Sequence, residues 1–93
     1  MIVGILTVDL SVPGSNSLKD KRQVIKSVLS LIRNKFNVSA AEIDHLDSHR
    51  RAELAFACIS NDQALVNRML DKILDYIRSN PMCEVVDSDL QFV

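Results

Sequence analysis

Six of the chain's 11 lysines and arginines fall in one short stretch, at Lys19, Lys21, Arg22, Lys26, Arg33 and Lys35, behind a Pro13-Gly14 turn and Ser17. A row of cations at that density is chemistry for holding a polyanion such as a nucleic-acid backbone. On a helix turning about 100° per residue, Lys19, Arg22, Lys26 and Arg33 lie roughly 60–120° from Ile25, on one flank. Lys21 and Lys35 lie on the other, with Lys21 placed to run its stem along the core edge. Like charges one turn apart repel by about 0.2–0.5 kcal/mol per pair, so the stripe does nothing for helix stability. Lys19, Lys21 and Arg22 also crowd a helix N-terminus, where the macrodipole disfavours cations. Free backbone N–H groups there, the Ser17 hydroxyl and the flanking cations form a candidate phosphate site. The anion-binding or RNA-binding set expected from this pattern is Ser17, Lys19, Lys21, Arg22, Lys26 and Arg33. The competing reading is a solvated face, or one neutralised by the acidic second half of the chain.

Other chemistry is thinner. Asp44, His45, Asp47 and His49 are metal-ligand types packed together, but His45 and His49 share a face only on a helix, and this stretch reads as a strand end and turn. Asp9 with Asp87 or Asp89 offers a carboxylate pair, more simply read as solvated or interface charges. With two glycines in the chain there is no Gly-rich phosphate loop. Cys58 lies in an apolar run where a thiol behaves as a small hydrophobe, and Cys83 follows a proline turn, so no disulfide is expected. No nucleophile constellation, metal set or cofactor motif emerges. The expectation is a protein that is not an enzyme.

The elements that must position these residues follow from periodicity. Residues 2–12 alternate from Gly4 onwards, with Leu6, Val8, Leu10 and Val12 on one face, and read as a half-buried strand. Ser17, with Asp20 three residues on, is an acidic capping box opening a helix to about Phe36, with Asn37 as its C-terminal cap. Leu18, Ile25, Val28, Leu29, Ile32 and Phe36 form its inner arc. Val38 to about His45 is a weak strand, interrupted by Glu42 and Asp44, and a polar hinge at 46–50 leads to a better strand from Arg51 to Ile59. Ser60 or Asn61 caps a second helix, with Val66, Met69, Leu70, Ile73 and Ile77 inward, ending at Asn80-Pro81. Glu84 to Val93 alternates again, with Val86, Leu90 and Phe92 inward. The order β-α-β-β-α-β predicts one α+β domain over residues 1–93: a ferredoxin-like sandwich, its antiparallel sheet ordered 4-1-3-2 with both helices on one face.

Composition agrees. A chain of 93 residues, 47% hydrophobic, has enough apolar surface for one core and no room for a second domain. Its net charge of −1 is unevenly spread, because residues 1–37 carry +4 and residues 38–93 carry −5. No apolar run nears the ~20 residues needed to cross a bilayer, and the N-terminus lacks the basic region of a signal peptide, so a cytoplasmic location is expected.

The segments Gly4-Ile5-Leu6, Pro13-Gly14, Ser17 to Arg22, Phe36 to Ser39, Ala41-Glu42, Arg51 to Leu54 and Ser60-Asn61-Asp62 resemble those of the YlxP-like family, small bacterial proteins long catalogued as a domain of unknown function. The resemblance runs through the strand ending at Val86 to Phe92 and so covers essentially the whole chain. It implies a ferredoxin-like fold and a bacterial gene set beside those for transcription elongation, translation initiation and ribosome maturation. That neighbourhood points to work on or near RNA and assigns no reaction. His49 stands where many relatives have an aromatic before the Arg-Ala pair, so a role resting on that aromatic does not carry over.

Two partner expectations result. The first is ribosomal or other RNA, held at its backbone by the basic stripe. Reading of bases by the sheet is disfavoured, since the chain has four aromatics and the outward strand positions carry Val3, Ile5, Thr7, Ala55, Ala57 and Ile59 instead. The second is a protein or small-ligand module built on that open face, where Val3, Ile5, Ala55, Ala57 and Ile59 form an apolar patch suited to a homodimer.

Overall fold

The computed structural model describes residues 1–93. Its elements are β1 (Ile2–Ser11), α1 (Leu18–Lys35), β2 (Ser39–Asp44), β3 (Arg51–Ser60), α2 (Gln63–Arg78) and β4 (Glu84–Phe92). The strands form one sheet ordered β2-β3-β1-β4, every neighbouring pair antiparallel. This is the expected 4-1-3-2 order, read from the opposite edge, and the fold is the ferredoxin-like α+β sandwich.

Alternation places the core on one side of the sheet. Leu6, Val8, Leu10 and Val12 from the first strand segment and Ala52, Leu54, Phe56 and Cys58 from β3 are buried beneath α1 and α2. Ile25, Val28, Leu29 and Ile32 close the core from α1, and Val66, Leu70, Ile73 and Ile77 close it from α2. Each such side chain contributes about 1.5–3 kcal/mol by leaving water. Where α2 crosses β1 the two backbones are close. A Cβ on Gly4 would collide with Val66 Cγ1 and stand 2.9 Å from Leu70 Cδ1, so the position requires the missing side chain.

The helix ends show what sets their limits. Ser17 Oγ accepts from the Asp20 amide at 3.0 Å, the forward half of the anticipated capping box, while Asp20 Oδ2 reaches back one residue further and accepts from the Asn16 amide at 3.1 Å instead of that of Ser17. The C-terminal cap of α1 is Phe36, one residue before the expected Asn37, because Phe36 already has extended backbone angles. The cap of α2 is Asp62, which accepts from the Leu65 amide at 3.2 Å. Ser60, expected there with Asn61, instead accepts from the Asp62 amide at 3.2 Å and shapes the turn into the cap.

The helices run antiparallel and staggered. Lys35 lies against Tyr76, and Gln23 and Ser27 lie beside Asn80 and Met82, so the first turn of α1 overhangs the end of α2. The molecule is a slab of 42 × 21 × 18 Å. Irregularities mark both edge strands. The pairing shift between Asp9 and Leu10 makes Val86 the extra residue of β4, and that between Glu42 and Asp44 makes Ile43 the extra residue of β2. The β4 bulge corrects one expectation: Val85 packs towards the core beside Leu10, whereas Val86 is 53% exposed.

Candidate functional site

Lys21 is the only fully buried charged side chain, at 0% exposure. It sits on the inner arc of α1 and points under the β2–β3 connection. Its Nζ donates to Glu42 Oε2 at 2.7 Å, to the His45 carbonyl at 2.9 Å and to the Arg51 carbonyl at 3.3 Å. An ammonium has three donors, and all three are used. Two details of the chain make this possible. Glu42 occupies an inward position of β2 opposite Leu54, and His45 takes a left-handed φ of 60° that turns the chain at the end of β2. Glu42 reads in sequence as an interruption of a strand. The available signal was a lysine on a core arc, since buried charges require partners.

One member of the expected anion set is therefore corrected, because Lys21 is consumed inside the fold. Ser17 is exposed and its Oγ accepts as the helix cap, which leaves its O–H as a donor. The Asp20 carboxylate also occupies the N-terminus of α1, where a phosphate was expected. Lys19, Arg22 and Lys26 are exposed and make neither hydrogen bond nor ion pair with the rest of the chain. Arg33 is exposed too, and its guanidinium donates to the Ala40 carbonyl of β2, which fixes it at the sheet edge. The flank lies away from α2, which meets the opposite side of α1 at Lys35, with the turn after α2 beside Val24. Along the axis the four cations are spaced by about 4.5, 6 and 10.5 Å, at 1.5 Å per residue.

The structure holds two ion pairs, Lys21 with Glu42 and Arg51 with Asp9, each at 2.7 Å. The acidic second half of the chain does not neutralise the stripe. Charge is instead sorted by layer. The two helices hold nine of the 11 basic residues and three of the 12 acidic ones, and the strands hold one and seven. The division into a basic and an acidic half of the chain becomes a basic helical layer and an acidic sheet.

The open face of that sheet has two ends. Val3, Ile5, Ala55, Ala57 and Ile59 share one end, as expected, with Ile59 64% exposed and the other four half-buried. At the other end the register sets Asp87 opposite Asp9, Asp9 opposite Glu53, and Glu53 opposite Asp44, a row of carboxylates across all four strands. Directly opposed like charges are unfavourable, and the Arg51 guanidinium beside Asp9 relieves only part of the row. Thr7, Asp9, Glu53, Asp87 and Asp89 surround a shallow depression of about 150 Å³ there. The aspartates considered as an acid–base pair thus belong to this larger acidic band.

His45 and His49 lie in the exposed connection between β2 and β3. Cys58 and Cys83 are free and buried, with Cys58 Sγ 3.5 Å from Met69 Sδ. Burial pushes the Cys83 thiol up, which keeps it protonated and unreactive. No helix is long and apolar enough to cross a membrane.

Fold and surface together define a small ferredoxin-like α+β domain with a cationic helical layer and an acidic sheet. The profile of the family described as "Protein of unknown function (DUF503)" matches residues 3–90, and the chain belongs to that family. It is similar to the "Uncharacterized protein YlxP" of Bacillus subtilis (strain 168), 32% identical over 83 residues, which is 89% of this chain and 90% of that protein.

Proposed function

We propose that this protein is a non-enzymatic accessory factor that contacts RNA backbone, on or near the ribosome, through Lys19, Arg22, Lys26 and Arg33. The observation that carries the reading is the exposed, unpaired cationic flank of α1 in a chain of net charge −1. Repulsion along that flank has no compensating partner within the fold, so an external polyanion is the natural one. The gene neighbourhood implied by the family resemblance supports RNA or the ribosome as that polyanion.

Binding of this kind is salt-dependent and weakly sequence-specific. For single-stranded RNA the log of the affinity falls by about 0.7 per phosphate contacted for each log unit of salt. Substituting Arg22, Lys26 and Arg33 by Glu lowers the slope by about 2 on that scale and abolishes co-sedimentation with ribosomal subunits at physiological salt. Unchanged association of the folded triple variant across a salt series removes the proposal.

A second reading rests on Ile59, whose 64% exposure leaves the apolar end of the sheet uncovered. That end is a protein contact, with a second copy as its simplest occupant. Sedimentation velocity of the protein and of Ala57→Glu decides it, since a monomeric native protein at high concentration removes the homodimer.

A further inference from the structure

We propose that the cleft between the C-terminal end of α1 and the second half of α2 binds a nucleotide unit, with the base stacked on Tyr76 and the phosphate held by Lys35 and Lys72. It is lined by Lys35, Phe36, Lys72, Asp75 and Tyr76 and measures about 460 Å³. That volume falls within the ~300–1,000 Å³ range of small-molecule sites. Four other clefts, at about 150 to 230 Å³, fall below it.

Its chemistry is specific. Phe36 and Tyr76 are half of the chain's four aromatics, and both are half-buried and packed against the core, so the rings are held still. A ring fixed along one edge and open on a face is a stacking platform for a base. Lys35 and Lys72 converge on the cleft from different helices, and neither forms an ion pair, although Asp75 lines the same cleft. The Lys35 ammonium lies over the Tyr76 ring, 5.0 Å from its centroid. A phosphate offers that ammonium a stronger partner. Drawing Lys35 off the ring uncovers the face on which the base then stacks. Asp75 remains as an acceptor for an exocyclic amine or a ribose hydroxyl. The site lies on the opposite flank of α1 from Lys19, Arg22 and Lys26, and it extends the RNA reading without depending on it. The nucleotide unit is supplied either by a free nucleotide or by single-stranded RNA.

Tyr76 is the only tyrosine and the chain has no tryptophan, so its ring is a reporter confined to the site. The test follows its NMR ring signals during titration with adenosine monophosphate, adenosine, inorganic phosphate and hexaadenylate. Saturable ring shifts with the monophosphate, at least tenfold weaker with adenosine, are expected. Lys35→Gln with Lys72→Gln brings the monophosphate down to the level of adenosine. Tighter binding of hexaadenylate by tenfold or more assigns the site to a strand, and equal binding assigns it to the free nucleotide. No response of Tyr76 to either the monophosphate or hexaadenylate at millimolar concentration overturns the proposal, as does an equal response to inorganic phosphate alone. The wild-type ring is the reporter, so the result does not depend on a Tyr76 variant folding. A silent Tyr76 in protein that still sediments with ribosomal subunits defeats the cleft and leaves the α1 stripe standing. A responsive Tyr76 in protein that binds no RNA does the reverse.

Discussion

Lys21 shows how one residue can look functional in sequence and be structural in the fold. Its place near the core arc was legible from helical spacing alone. Its partners were not, because the inward direction of Glu42 depends on strand register and the His45 carbonyl depends on a left-handed turn. The side chain ties the first turn of α1 to both ends of the β2–β3 connection through three acceptors. Removing one partner of a buried pair strands the other, at a cost of about 3–5 kcal/mol, whereas replacing both by apolar residues is close to neutral. Lys21→Ala therefore costs about 3 kcal/mol or more in urea unfolding, with the Glu42 carboxylate and two carbonyls left without their donor. Lys21→Met combined with Glu42→Leu recovers most of the loss. Equal destabilisation by the single and the double variant means that the ion pair is not what holds this corner.

Whole elements were more legible than their edges. Period-2 and period-3.6 patterns located all six elements, and the β-α-β-β-α-β order pointed to the sheet topology, because hydrophobic patterning and short connections leave few alternatives. The edge strands escaped, since a bulge adds a residue without leaving a mark in composition. In β4 a regular alternation from Leu90 predicts Val86 inward, and the extra residue at Val86 hands the core position to Val85. The two valines are neighbours with opposite environments, which makes the register testable. Val85→Asp places a carboxylate against the core and costs about 1.5–3 kcal/mol. Val86→Asp, on a side chain 53% exposed, stays within about 0.5 kcal/mol. Thermal unfolding of the two variants measures the difference, and the reverse order of stabilities returns β4 to unbroken alternation.

At the scale of the molecule the charge sorting sets how the two faces act. A basic helical layer and an acidic sheet lie on opposite sides of a slab whose smaller extents are 21 and 18 Å. The Debye length is about 8 Å at 0.15 M salt and about 30 Å at 0.01 M. Glu53 and Asp87 point from the sheet face away from α1, so at physiological ionic strength they are largely screened from anything bound along that helix, and at low salt they are not. Asp87→Asn together with Glu53→Gln removes all three opposed carboxylate pairs of the row and leaves Asp9 to Arg51. At roughly 0.2–1 kcal/mol per pair, the double variant gains about 1 kcal/mol of stability, a rise of about 4–8 °C in Tm. Its affinity for single-stranded RNA stays within about twofold at 0.15 M salt and rises several-fold at 0.01 M, where repulsion from the sheet is no longer screened. A large gain at 0.15 M instead places the RNA against the sheet face, because only direct contact survives that screening.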